Sequence, residues 1–96
     1  MKFGADVLRE IAGPHHMKAR RKAWNEGNYI YYCEGQYIPV DKWIERSKSQ
    51  SLTPFEKSSG FVQIVGHIDN YCDGKRIVGW TPDNEDVEGD DWEIIE

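Results

Sequence analysis

Tyr29-Ile30-Tyr31-Tyr32-Cys33 is the stretch on which the fold turns. Four aromatic or β-branched residues followed by a cysteine give the strongest strand propensity in the chain. Turn-rich segments bracket it, Trp24-Asn25-Glu26-Gly27-Asn28 before and Glu34-Gly35-Gln36 after. Further on, Cys72-Asp73-Gly74-Lys75 is a hairpin turn of the Asp-Gly kind, with Arg76 to Trp80 as the returning strand. The sheet around the Tyr-rich strand is therefore mainly antiparallel.

Other elements fall into place around it. Phe3, Val7, Leu8, Ile11 and Ala12 share one helical face, with Asp6, Arg9 and Glu10 opposite. This predicts a helix over residues 4–12, stopped by Gly13-Pro14 with glycine as a left-handed cap. Residues 17–21 read as a short strand with Met17 and Ala19 inward. Tyr37-Ile38-Pro39 is a short continuation of the Tyr-rich strand after its turn. Val40, Trp43, Ile44 and Ser47 form a weak helical stripe. Residues 46–60, rich in serine, read as a mobile solvated loop. Phe61 to Val65 is a strand, extended through Tyr71 past a glycine bulge at Gly66. Thr81 to Asn84 is a turn, in which Asp83 or Asn84 caps a short helical turn through Val87. Trp92 to Ile95 closes the chain as a strand with Trp92 and Ile94 on one face. The expectation is a single α+β domain over residues 1–96, an N-terminal helix packed on a mainly antiparallel sheet.

Ninety-six residues make one domain with a modest core. Twelve aromatics, four of them Trp and five Tyr, exceed what that core needs, so some serve a pocket or a subunit interface. The net charge of −5 argues against a nucleic-acid duplex or an anionic membrane as partner. Charge is uneven. Lys18, Arg20, Arg21 and Lys22 form a basic patch, no base follows Arg76, and eight of the last 14 residues are Asp or Glu. That patch either holds a small anion or meets the acidic face of another copy. Cys33 and Cys72 read as free thiols of a reducing compartment. No apolar run reaches membrane-spanning length and no signal-peptide h-region opens the chain, so the expected location is the cytoplasm.

Catalytic and metal motifs fail on spacing. With Gly89 as the sharp-turn glycine of a calcium loop, the twelfth position is Ile95, where a bidentate Glu is required. His15, His16, His67 and the two cysteines match no zinc spacing, so no metal and no cofactor is expected. His67 and Asp69 share a strand face and form the one acid–base pair in view. A nucleotide asks for a π-face, a cation or backbone N–H groups, and polar groups for sugar and base edges. Arg21 and Trp24 supply the first two; His67, Asp69 and Asn84 supply the third.

One family matches this order of residues. Met-Lys-Phe-Gly before a short helix, Gly13, Arg21-x-x-Trp24, Ile68-Asp69, Asp73-Gly74, Gly79-Trp80-Thr81-Pro82, Asp86 and Asp91-Trp92 together resemble the Thoeris anti-defense 2-like family of phage and prophage proteins. The likeness spans about two thirds of the chain and leaves residues 34–60 unmatched. It implies a homo-oligomeric sponge, dimer or tetramer, that binds cyclic ADP-ribose-type signals or cyclic dinucleotides intact at subunit contacts. It places Trp24 as the stacking ring, Arg21 at a phosphate, and Thr81 to Asp86 along the pocket, with Asp91 and Trp92 structural. Where relatives carry serine and glutamine after Trp-x-x, this chain has Asp83 and Asn84, so Asp83 adds a negative charge. Pro14-His15-His16 is also a longer link than usual. The candidate ligand-binding set is Arg21, Trp24, Asn25, His67, Asp69, Trp80, Thr81, Pro82, Asn84 and Asp86. Trp24→Ala is expected to weaken binding and leave the fold intact. Two rival readings remain: an acidic module that blocks a host defense protein, and an enzyme that cleaves the signal with His67 and Asp69.

Overall fold

In a computed structural model, which describes residues 1–48 and 51–96, the chain forms two compact units. The first comprises Met1–Glu34 and His67–Glu96, the second Gly35–Gly66.

The first unit is one helix on a five-stranded sheet. Helix α1 (Ala5–Ala12) packs on β1 (Lys18–Arg21), β2 (Tyr29–Cys33) and β7 (Trp92–Ile95). With β5 (His67–Cys72) and β6 (Lys75–Ile77) the sheet order is β6-β5-β2-β1-β7, and each of its ladders is antiparallel. The Tyr-rich stretch is a strand, as its propensity predicts, and β2 lies in the middle of the sheet. Val7 and Ile11 of α1 bury completely against Ala19, Ile30 and Trp92. Leu8 and Ala12, expected inward, are exposed, because only the i, i+4 pair of this short helix faces the sheet. Gly13 is extended rather than left-handed, with φ −80° and ψ −177°. It is still required, since a Cβ there would collide with the Arg9 carbonyl.

The β5–β6 hairpin turns through Asp73 (φ 52°) and Gly74 (φ 82°), the two positive φ values of a type I′ turn. The return strand ends at Ile77, three residues earlier than expected. Beyond it, the Trp80 N–H bonds the Ile68 carbonyl at 2.6 Å. Helix α4 (Asn84–Glu88) opens on a capping box. Asp83 accepts the Asp86 N–H at 2.8 Å and Asp86 accepts the Asp83 N–H at 3.1 Å.

The second unit pairs β3 (Gln36–Pro39) with β4 (Phe61–Ile64) antiparallel and adds α2 (Val40–Ser47) and α3 (Pro54–Ser59). Its buried pair, Ile38 and Val62, are cross-strand neighbours. Three expectations are corrected here. Residues 37–39 form a strand of a separate sheet, not a continuation of β2. Gly66 lies between strands of two different sheets, not at a bulge within one. The expected loop over 46–60 contains α3: Thr53 and Glu56 exchange side-chain hydrogen bonds in a capping box, Pro54 occupies the first turn, and Gly60 caps the end at φ 81°. Residues 49 and 50 of that stretch lie outside the described residues.

Candidate functional site

The acidic C-terminal segment meets the basic patch within one chain. Strand β7 lies antiparallel to β1, with Arg21 opposite Trp92 and Arg20 opposite Glu93. The guanidinium of Arg21 sits 2.9 Å from Asp91 and 3.4 Å from Asp86, and Arg20 sits 3.5 Å from Glu93. Asp91 also accepts the Ala23 N–H at 3.0 Å. Gly89 makes room for this: a Cβ there would fall 2.7 Å from an Arg21 nitrogen. The hydrogen bond from Arg21 holds the Asp91 carboxyl below its usual range, and the same bond raises Arg21. Two members of the basic patch, Arg20 and Arg21, thus meet the acidic segment of their own chain. Both are ion-paired, because the β1–β7 ladder brings the two ends of the chain together.

The sign of the Asp91 shift gives a prediction. A carboxyl whose folded pKa is depressed stabilises the fold above its unfolded pKa, and that contribution is lost as pH falls through the folded value. The melting-temperature gap between wild type and Asp91→Asn is therefore full at neutral pH and closes as pH falls below about 4. Melting curves over that range check it; a gap independent of pH would remove the ion pair as its origin.

Above this corner the four tryptophans of the chain divide: Trp43 is in the second unit and three cluster in the first. Trp92 is 2 % exposed and its indole N–H donates to the Asp86 carbonyl at 2.8 Å. Its ring centroid lies 5.1 Å from Trp24 and 6.0 Å from Trp80, both at steep angles. Phe3 closes the group at 5.2 Å from Trp92. Trp24 and Trp80, 6.2 Å apart, are only half-buried.

These two indoles line a cavity of about 400 Å³ formed with Ala23, Asn25, Asn28, Asn70, Tyr71, Cys72, Asp83 and Asp86. That volume lies within the roughly 300–1,000 Å³ of small-molecule sites. Its walls offer two indole faces and three side-chain amides. Among the described residues, none that lines it is Lys or Arg. Its acids already have partners: Asp83 caps α4, and Asp86 serves both the capping box and Arg21.

Of the ten candidate residues, Trp24, Asn25, Trp80 and Asp86 come together on this cavity. Thr81, Pro82 and Asn84 lie on the adjoining segment without lining it, and Arg21 does not line it but pairs with Asp86, which does. Sequence reasoning missed Asn28 and Asn70. Asn70 could only be found from the register that sets it opposite Ile30.

His67 and Asp69 are close to each other but are not among the residues that line the cavity. His67 Nε2 lies 3.4 Å from Asp69, and the Cys33 thiol donates to the other Asp69 oxygen at 3.1 Å. The Gly79 N–H donates to Asp69 at 2.8 Å. Burial, then the Asp69 hydrogen bond, push the Cys33 thiol up to about 11.

A small α+β domain with an indole- and amide-walled cavity is the class that fold and site define. The chain belongs to the Thoeris anti-defense 2-like (Tad2-like) family, whose profile matches residues 1–95. Membership supports a role in Thoeris anti-defense, and at most implies a Thoeris signalling molecule as what it binds. No curated protein matches the chain. Among the described residues, no helix is long and apolar enough to cross a membrane.

Proposed function

We propose that this protein sequesters a cyclic nucleotide signal, a cyclic ADP-ribose isomer or a cyclic dinucleotide, in the bacterial host's cytoplasm and holds it uncleaved. The carrying observation is the cavity between Trp24 and Trp80, found in a chain of an anti-defense family. An indole face stacks a base of any identity. Asn25 and Asn70 offer donors and acceptors for base edges and ribose hydroxyls, while the Asn28 amide already accepts the Asp73 N–H at 3.0 Å.

The phosphates need a different source. Arg21 is engaged, Asp83 brings a negative charge, and the lining residues supply no cation. A second copy of the chain supplies the positive charge, so the complete site sits at a subunit contact of a homo-oligomer. The cleavage reading fits less well, because His67 and Asp69 lie off the cavity lining.

Calorimetry against cyclic ADP-ribose isomers and cyclic dinucleotides tests this. At least one ligand is expected to bind, and denaturing the complex returns it unchanged by mass spectrometry. A folded protein that binds none of the panel overturns the proposal, and recovery of a hydrolysed product turns it toward an enzyme.

A further inference from the structure

Cys33, His67 and Asp69 form a cluster whose residue types are those of a metal site. One ligand atom from each residue lies within 4.8 Å of those of the other two. Strand register builds the cluster. Cys33 and His67 are directly opposed at the last pair of the β2–β5 ladder, and Asp69, two residues on, shares their face. Asp69 is 6 % exposed and carries no neighbouring Lys or Arg within ion-pair distance among the described residues.

We propose that these three side chains bind a zinc ion, through Cys33 Sγ, His67 Nε2 and a carboxylate oxygen of Asp69, with water in the fourth position. Zinc bonds of about 2.3 Å to sulfur and about 2.0–2.2 Å to nitrogen or oxygen set tetrahedral ligand atoms roughly 3.3–3.7 Å apart. Cys33 Sγ lies 3.1 Å from Asp69 Oδ2 and His67 Nε2 lies 3.4 Å from Asp69 Oδ1, with one ligand atom of each residue within 4.8 Å of the others, so the three close to that spacing by drawing together around one carboxylate oxygen. The donors choose the ion. Thiolate and imidazole suit zinc, whereas calcium and magnesium ask for oxygen shells. The Gly79 N–H bonded to Asp69 fixes the carboxylate, as an outer-shell partner does at established metal sites. On binding, the thiol proton leaves to solvent and sulfur takes the metal in its place. The ion then cross-links β2 to β5 where their ladder ends.

The test uses the full chain, stripped with chelator and titrated with zinc, with cobalt(II) as a spectroscopic probe. One zinc per chain is expected. The cobalt form should show tetrahedral d–d bands and a thiolate-to-cobalt charge-transfer band. Zinc should raise the melting temperature by mass action. Cys33→Ser and His67→Gln should each weaken zinc by more than the roughly tenfold to hundredfold that loss of an outer-shell partner costs. His15→Gln, in the exposed turn, should leave affinity unchanged. Zinc K-edge absorption on the wild type gives a readout that needs no variant, and should show one sulfur among nitrogen and oxygen neighbours. No binding, no sulfur in that shell, or undiminished affinity in the folded Cys33→Ser/His67→Gln double variant overturns the proposal.

Discussion

Trp92→Ala is expected to lose about 3–5 kcal/mol of folding stability, the range for truncating a large buried aromatic. Small domains are stable by only about 5–15 kcal/mol, so the variant should lose a large fraction of its total stability. Trp92 does three things at once. Its ring fills the space between Phe3, Trp24 and Trp80. Its strand pairs with β1 along four residue pairs. Its indole N–H satisfies the Asp86 carbonyl in α4, whose capping box and ion pair hold the segment after Trp80. Trp92→Phe separates these contributions, because a smaller ring keeps part of the packing and loses the donor. Leaving a buried carbonyl unsatisfied costs about 1–3 kcal/mol, so Phe should fall between wild type and Ala. Urea unfolding followed by circular dichroism measures both. If Ala unfolds at the wild-type midpoint, the tryptophan cluster is not what ties the C-terminal strand to the core.

The parts of the fold that were legible in the sequence rest on local physics. Asp73-Gly74 can adopt two positive φ values at little cost, so the hairpin was readable from two residues. Val7 and Ile11 announced α1 by spacing, and Tyr29 to Cys33 announced β2 by propensity, though not its place in the middle of the sheet. Helix α3 was also written locally, as Thr53-Pro54-Phe55-Glu56 with Gly60 after it, but the surrounding serines outweighed those signals. What the sequence hid was pairing between distant strands. Arg20 and Arg21 look like a free basic patch until β7 is laid beside β1 and supplies Glu93 and Asp91. The same holds for Cys33 and His67, which match no ligand spacing along the chain because they meet across the β2–β5 ladder. The family motif is clearer for it. In this chain Asp86 completes the capping box of α4 and pairs with Arg21, Asp91 pairs with Arg21, and Trp92 fills the core.

If the proposed sequestration holds, Trp24→Ala is expected to reduce affinity for the cyclic nucleotide by about 1–3 kcal/mol through lost stacking, a roughly fivefold to 150-fold rise in Kd. Unlike the expectation drawn from sequence, this change also costs stability, because the Trp24 ring touches Trp92 and Trp80 as well as the cavity. Affinity must therefore be measured on the folded fraction, and Trp24→Phe is the sharper variant. It keeps a π-face and much of the packing, so its affinity should lie between those of wild type and Ala. Arg21→Lys provides the contrast that assigns the site. Arg21 makes two ion pairs without lining the cavity, and lysine cannot reproduce its fork toward Asp86 and Asp91. The variant should melt at a lower temperature while its folded form binds nearly as wild type does. If Arg21 instead gripped a phosphate, affinity would drop first and its salt dependence would flatten. Calorimetry at two salt concentrations, alongside melting curves, separates the two orders. A Trp24→Ala protein that stays folded and binds unchanged would move the ligand away from the indole pair altogether.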